Sequence, residues 1–135
     1  MACTRTFATL RIFSENLHPD EITKMLGVLP TGTDPLNPES KYKNRRVSNF
    51  WKYSTEKLSN SLNNVEHVEI ILRALNGKSN QMELLRHRGC QTDIFCYWDS
   101  NGQGGPSLSV TLMNELVKFG LDIYWDMYFD DEEDA

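Results

Sequence analysis

The segment over residues 8–35 constrains the fold more than any other part of the chain, because it holds a strand pattern, a helix start and a helix stop. Leu10 and Ile12 alternate with residues of the opposite row, which is the two-residue period of a strand with one buried face. Pro19 suits the first turn of a helix, and Gly27 suits the left-handed position that ends one. The segment predicts a strand followed by a short helix that packing must stabilise.

The start of this helix has a specific capping pattern. His18 is the expected N-cap, a position that Ser, Thr and Asp usually occupy. Asp20 and Glu21 put negative charge in the first turn, where the helix dipole stabilises it. Leu17 and Ile22 stand at the two positions of a hydrophobic staple. These residues predict where the helix begins.

The rest of the chain alternates between strand and helix patterns. Residues 30–40 contain three prolines and predict an extended loop. Helical spacing predicts one helix over residues 58–75 and shorter helices that begin near Ser79 and Ser109. Two-residue alternation predicts strands over residues 41–53, 92–99 and 121–129. This order predicts an α+β two-layer sandwich of ferredoxin-like style, with a mainly antiparallel four-stranded sheet and the helices on one face.

Length and charge limit the possible classes of protein. The 135 residues suffice for one core, so a single α+β domain over residues 1–129 is expected, followed by an acidic tail over residues 130–135. The formal net charge is −5, and five acidic residues lie between positions 130 and 134, so the body is neutral. A neutral body has no broad field to attract nucleic acid or an anionic membrane.

The cysteines and the first residues indicate a cellular compartment. Three cysteines, Cys3, Cys90 and Cys96, are an odd number, which favours free thiols in a reducing environment. The opening residues lack the basic stretch and apolar core of a secretory signal. No segment approaches the roughly 18 consecutive apolar residues of a membrane span. A cytoplasmic location without membrane association is therefore expected.

Several stretches together resemble a bacterial family known as domain of unknown function 4279. They are the strand ending in IFS, HPDEITKMLGVLPT at residues 18–31, FWKYST at residues 50–55, LSVTLMNELVKFGLDI and the later WDMYF. The most specific part is the pattern P-x-E-I-T-x-x-L-G-x-x-P-T, matched by Pro19, Glu21, Ile22, Thr23, Leu26, Gly27, Pro30 and Thr31. The resemblance implies a small stand-alone α+β domain and no established reaction, cofactor or catalytic residue.

The outward row of the sheet is the leading candidate for a binding site. An antiparallel sheet often leaves one face open, and exposed aromatic faces are frequently recognition surfaces. The favoured hypothesis is a non-catalytic module, of inhibitor or immunity type, that binds an unidentified protein partner. Alternatively, the proline-rich loop or a second copy in a homodimer covers this face. The candidate binding residues are Phe7, Arg11, Phe13, Phe95, Tyr97, Tyr124, Asp126 and Tyr128.

Two other functions remain open from the sequence. A small enzyme would use Asp122 and Asp126 as an acid–base pair or hard-metal site, with Arg11 or the basic loop as a partner. No nucleophile or general-base histidine stands in a catalytic motif, so the sequence favours a non-enzyme and assigns no catalytic residue. Nucleic acid would bind the basic stretch over residues 41–46, which is the less favoured reading because such a run is usually a solvated edge.

Metal and cofactor binding are not expected. His87, Cys90 and Cys96 have suitable ligand atoms for zinc, but their spacing lacks the paired C-x-x-C pattern. The glycines over residues 101–106 lack the lysine of a P-loop and the dinucleotide-binding fingerprint, so a flexible connector is expected there. His67 falls in the middle of a predicted helix and is expected to face solvent.

Overall fold

The computed structural model describes residues 3–130, which contain a five-stranded sheet in the order β2-β3-β1-β4-β5. The central strand β1 is antiparallel to both neighbours, β2 is antiparallel to β3, and β4 is parallel to β5. Along the chain the elements are β1 (Cys3–Ser14), α1 (Pro19–Leu26), β2 (Gly32–Asp34), α2 (Lys43–Val47), β3 (Asn49–Ser54), α3 (Asn64–Ala74), α4 (Ser79–His87), β4 (Gln91–Ser100), α5 (Val110–Phe119) and β5 (Asp122–Phe129). Except for Asp130, the predicted acidic tail lies outside the described residues.

The prediction of a four-stranded, mainly antiparallel, ferredoxin-like sandwich is wrong: the sheet is mixed and has a fifth strand. The additional strand β2 lies in the predicted loop between Pro30 and Pro35, where Thr33 is the Cα partner of Trp51. The prolines led to the prediction of a loop, but proline is tolerated beside an edge strand, so a strand can form here. The parallel pair arises because α5 carries the chain back to the starting end of β4.

The predicted start and stop of α1 are confirmed. The His18 side chain accepts a hydrogen bond from the Asp20 backbone N–H at 3.1 Å, and Pro19 opens the helix. Gly27 ends it with a φ of 74°, a conformation that favours glycine. Ser109 likewise caps α5, accepting from the Leu112 backbone N–H at 3.1 Å.

Two predicted elements have different boundaries in the structure. Residues 41–53 were expected to form one strand, but the first part is the helix α2, whose Val47 is 55% exposed. The predicted helix over 58–75 begins only at Asn64, because the Asn63 side chain caps it by accepting from the Val65 backbone N–H. Leu62 therefore lies before the helix and is exposed.

His67 is fully buried, so its predicted exposure to solvent is wrong. Its Nδ1 atom lies 2.6 Å from Thr55 Oγ1, and its Nε2 atom lies 2.8 Å from the Ser61 carbonyl oxygen. Because a carbonyl can only accept, Nε2 carries the proton in this contact. Thr55 Oγ1 also accepts from the Ala8 backbone N–H at 3.0 Å. The histidine therefore ties α3 to β1 and to the end of β3.

The hydrophobic core lies between one face of the sheet and four helices. From the sheet it receives the predicted inward row of β1, joined by Trp51, Ile94 and Cys96. The helices contribute Ile22, Leu26, Val68, Ile71, Met82, Leu85, Leu112, Leu116 and Phe119. Burial raises the pKa of the Cys96 thiol from its ordinary 9.0 to about 12, while the Asn64 side chain partly opposes this rise. Cys96 is thus a protonated packing residue.

Candidate functional site

The opposite face of the sheet, called the outer face below, carries all eight residues predicted as a binding surface. The residues that point to it are Arg5, Phe7, Thr9, Arg11 and Phe13 of β1, Phe50, Lys52 and Ser54 of β3, Gln91, Asp93, Phe95, Tyr97 and Asp99 of β4, and Asp122, Tyr124, Asp126 and Tyr128 of β5. Within residues 3–130, none of them belongs to the hydrophobic core. The helix α2 borders this face at its Phe13 and Phe50 end.

The register between β1 and β4 places complementary side chains opposite each other on the outer face. Arg5 is paired with Asp99 and Arg11 with Asp93, so a cation faces an anion at both positions. Directly opposed residues in an antiparallel pair are close enough to interact. The register therefore builds two clusters on this face, one around each arginine.

The first cluster surrounds Arg5. The rings of Phe7 and Tyr97 stack with centroids 5.1 Å apart and an interplanar angle of 12°. The Arg5 guanidinium lies 5.3 Å from the Phe7 centroid and 5.6 Å from that of Tyr97, within the range of cation–π attraction. Tyr128 packs on the other side of Tyr97 at 5.5 Å. Arg5 also forms a salt bridge with Glu56, which leaves Asp99 without one.

The second cluster surrounds Arg11. Its guanidinium donates two hydrogen bonds to the Asp93 carboxylate, at 2.7 and 3.0 Å. The same group lies 4.6 Å from the Phe95 centroid and 5.3 Å from that of Phe13. Phe13 in turn contacts Phe50 across the pair of strands, with centroids 5.0 Å apart. A bidentate arginine among aromatic rings has few alternative positions, so this cluster is ordered in the free protein.

The β5 side of the outer face is acidic. Asp99, Asp122 and Asp126 make no salt bridge with any residue between positions 3 and 130. The charge of Asp126 raises the pKa of Tyr128, and the Tyr128 hydroxyl donates a hydrogen bond to the same carboxylate at 3.2 Å. Burial and then the charge of Asp99 raise the pKa of Tyr97. Both phenols therefore stay neutral donors beside carboxylates.

Arg5, Phe50 and Asp99 were missed by the sequence reasoning. Arg5 stands two positions before Phe7, so its side chain points to the same face of the strand. Extending the alternating pattern toward the N-terminus would have included Arg5. Asp99 follows Tyr97 by the same rule. The place of Phe50 beside Phe13 depends on strand order, which the pattern does not contain.

The candidate acid–base residues Asp122 and Asp126 lie four positions apart on one row of β5, which is roughly 13 Å along a strand. Asp93 and Asp122 are Cα partners in β4 and β5, but the Asp93 carboxylate is held by Arg11. Among residues 3–130, no group of three or more His, Cys, Asp or Glu side chains could hold a metal ion. Of the candidate zinc ligands, Cys90 and Cys96 are buried and His87 is exposed.

The basic stretch over residues 41–46 is largely engaged by its own surroundings. Arg45 forms a salt bridge with Asp34 at 3.1 Å, and Arg46 donates to the Ser40 carbonyl oxygen at 3.0 Å. Lys41 lies 5.2 Å from the centroid of the neighbouring Tyr42 ring. The Arg45–Asp34 salt bridge joins the short helix α2 to β2.

Comparison with known proteins identifies the family. The sequence model described as "Domain of unknown function (DUF4279)" matches residues 3–130. The chain belongs to this family. The match spans all five strands, and it confirms the resemblance carried by residues 18–31. Neither the curated proteins nor the solved structures contain a match to this chain.

In the part of the chain that the structure describes, no helix is long and apolar enough to cross a membrane.

Proposed function

We propose that this protein is a non-catalytic binding module that recognises a protein partner through the outer face. The observation that carries the proposal is the pair of clusters around Arg5 and Arg11, which hold aromatic rings in fixed positions on a face without core helices. Tyr and Arg are the residue types that most often dominate binding energy at protein interfaces. A large aromatic surface rarely stays bare in a monomer.

The charge distribution favours a protein over a nucleic acid. Asp99, Asp122 and Asp126 are free of salt bridges within the described chain and would repel phosphate groups on the β5 side of this face. On the opposite side Arg11 and Arg45 are already paired with carboxylates. A protein surface that offers both apolar area and basic side chains matches this pattern.

The arrangement also favours binding over catalysis. Asp93 is neutralised by Arg11, and Asp126 accepts a hydrogen bond from Tyr128, so both carboxylates have partners on the face itself. The three histidines of the chain, His18, His67 and His87, lie elsewhere. An inhibitor or immunity-type protein presents such a preformed surface to its partner, and this is the class that we propose.

The test is affinity capture from the native cell, followed by calorimetric binding measurements with the captured partner. Replacing Tyr97→Ala, Tyr124→Ala and Asp126→Lys together should weaken binding by at least about thirtyfold, the effect of a hot spot worth about 2 kcal/mol. The matched control replaces two exposed leucines elsewhere, Leu29→Ala and Leu84→Ala, and should bind like the wild type. Circular dichroism verifies that both variants fold.

Two outcomes would contradict the proposal. If the outer-face variant retains every captured partner with unchanged affinity, the interface lies elsewhere. If a metal ion or nucleotide raises the melting temperature, and Asp126→Asn abolishes that rise, the acid–base alternative is correct instead.

A further inference from the structure

The two edge strands of the sheet differ in how well they are protected against pairing with another chain. The edge strand β2 has three residues between Pro30 and Pro35, and such short, proline-flanked edges resist pairing with another chain. The edge strand β5 has eight residues, DIYWDMYF, without proline or lysine. Every second residue of β5 directs its N–H and C=O away from β4. Within residues 3–130, no further backbone group bonds strand residues 122–129.

The flank formed by β5 also includes α5, the helix that leads directly into this strand and carries an apolar strip. Val110, Met113 and Val117 are 70%, 44% and 79% exposed, and their spacing of three and four residues places them along one side of the helix. On the other side, Thr111 and Glu115 line a groove of about 720 Å³ that separates α5 from α3. The strip therefore faces away from α3, which packs on β1 and β4.

We propose that this flank is the interface of a homodimer, in which β5 pairs antiparallel with β5 of a second copy. The apolar strips of the two α5 helices then pack against each other across the two-fold axis. The joined sheet has ten strands and keeps both helix layers on one side. This inference does not rest on the proposed partner, although Tyr124 and Asp126 of the outer face also lie at the dimer interface.

The sequence of β5 selects one register for this pairing. With the two-fold axis at Trp125, Tyr124 lies opposite Asp126 of the second copy, and Asp122 lies opposite Tyr128. Each carboxylate then faces a tyrosine hydroxyl, and the apolar inner row pairs only with itself. Centring the axis on residue 124 or 126 would place two aspartates opposite each other, which is destabilising.

Self-complementarity identifies the occupant as a second copy. A two-fold interface requires the same patch to match itself, and the register centred on Trp125 meets this condition for charge and for hydrophobicity. Ile123, Trp125 and Met127 are only partly buried in one chain, and a neighbouring strand with its helix layer covers them. The dimer thus protects an edge that would otherwise favour uncontrolled association.

Sedimentation velocity on the full chain tests the interface. The wild type should have twice the monomer mass of 15.6 kDa. Val117→Asp should shift the protein to monomer at the same concentration, because it buries a charge in the apolar strip. Leu29→Asp is the matched control, since Leu29 is 80% exposed and lies before β2. A wild type that is monomeric at its highest soluble concentration, or a Val117→Asp variant that dimerises like the control, overturns the proposal.

A charge pair at one position tests the register. Tyr124→Lys and Tyr124→Glu both remove the ring, but in the proposed register only the lysine attracts Asp126 of the second copy. The dimer dissociation constant should be at least about tenfold higher for the glutamate variant than for the lysine variant. Adding Asp126→Asn should remove most of this difference. Equal dissociation constants for the two single variants would show that the register is wrong.

Discussion

The two faces of β1 are stabilised in different ways, although their residues alternate along one strand. On the inner face, Leu10 and Ile12 are at most 1% exposed and pack into a core closed by four helices. On the outer face, Arg11 and Phe13 remain half-buried and are held by neighbours on the adjacent strands. The inner row gains its stability from burial, whereas the outer row gains order from lateral pairs.

The lateral pairs can hold the outer-face side chains in place although no core helix covers them. Cross-strand pairs on a sheet contribute only about 0.2–1 kcal/mol each, so each pair on the outer face adds less to the free energy of unfolding than a large buried core side chain does. The same pairs fix the rings of Phe7, Tyr97 and Phe95 before any partner arrives. A preorganised surface loses less conformational entropy on binding, which favours affinity.

The largest expected difference in stability between the two faces is between substitutions at neighbouring residues of β3. Trp51 is fully buried, and its indole N–H donates to Thr23 Oγ1 at 3.0 Å, whereas Phe50 points to the outer face. Trp51→Ala should lower the free energy of unfolding by about 3–5 kcal/mol, because it leaves a cavity. Phe50→Ala should cost about 1 kcal/mol. Urea unfolding measures both, and equal losses would contradict the distinction between the faces.

A smaller effect distinguishes the two arginine clusters of the outer face. The side chains of Arg11 and Asp93 are 26% and 13% exposed, and Arg11→Met should cost about 1–3 kcal/mol because Asp93 loses its cation. Arg5 and Glu56 are 57% and 42% exposed, so Arg5→Met should cost less than about 1 kcal/mol. Chemical unfolding of both variants tests this order. A larger loss for Arg5→Met would show that exposure does not decide the strength of these pairs.

The smallest effect is a change in the titration of one phenol. Because the Asp126 charge raises the pKa of Tyr128, Asp126→Asn should lower that pKa toward 10.0. The phenolate absorbance as a function of pH, with Tyr128→Phe as the reference, measures the change. The raised folded-state pKa stabilises the fold below pH 10, and this contribution is lost as the pH rises through that pKa. An unchanged titration in Asp126→Asn would exclude the carboxylate as the cause.

The shared face of the candidate residues was easier to predict than the order of the strands that carry them. Placing a side chain on one face requires only the two-residue period of its own strand, so Phe7, Tyr97 and Tyr124 were assigned together without knowledge of strand order. The strand β2 was missed because its three residues have too short a pattern and lie between prolines. His67 was misplaced because its burial depends on Thr55 and Ser61, which belong to other segments.

By itself, the sequence determined the local features: the cap at His18, the stop at Gly27, the cap at Ser109 and the residues that share a row on β1, β4 and β5. These depend on interactions within a few residues, which propensity and periodicity record directly. The tertiary structure alone decided the order β2-β3-β1-β4-β5, the parallel pair at its edge and the pairing of Arg11 with Asp93. Hydrogen bonds between strands are alike along any extended backbone, so the choice of partner follows from packing the whole chain around one core.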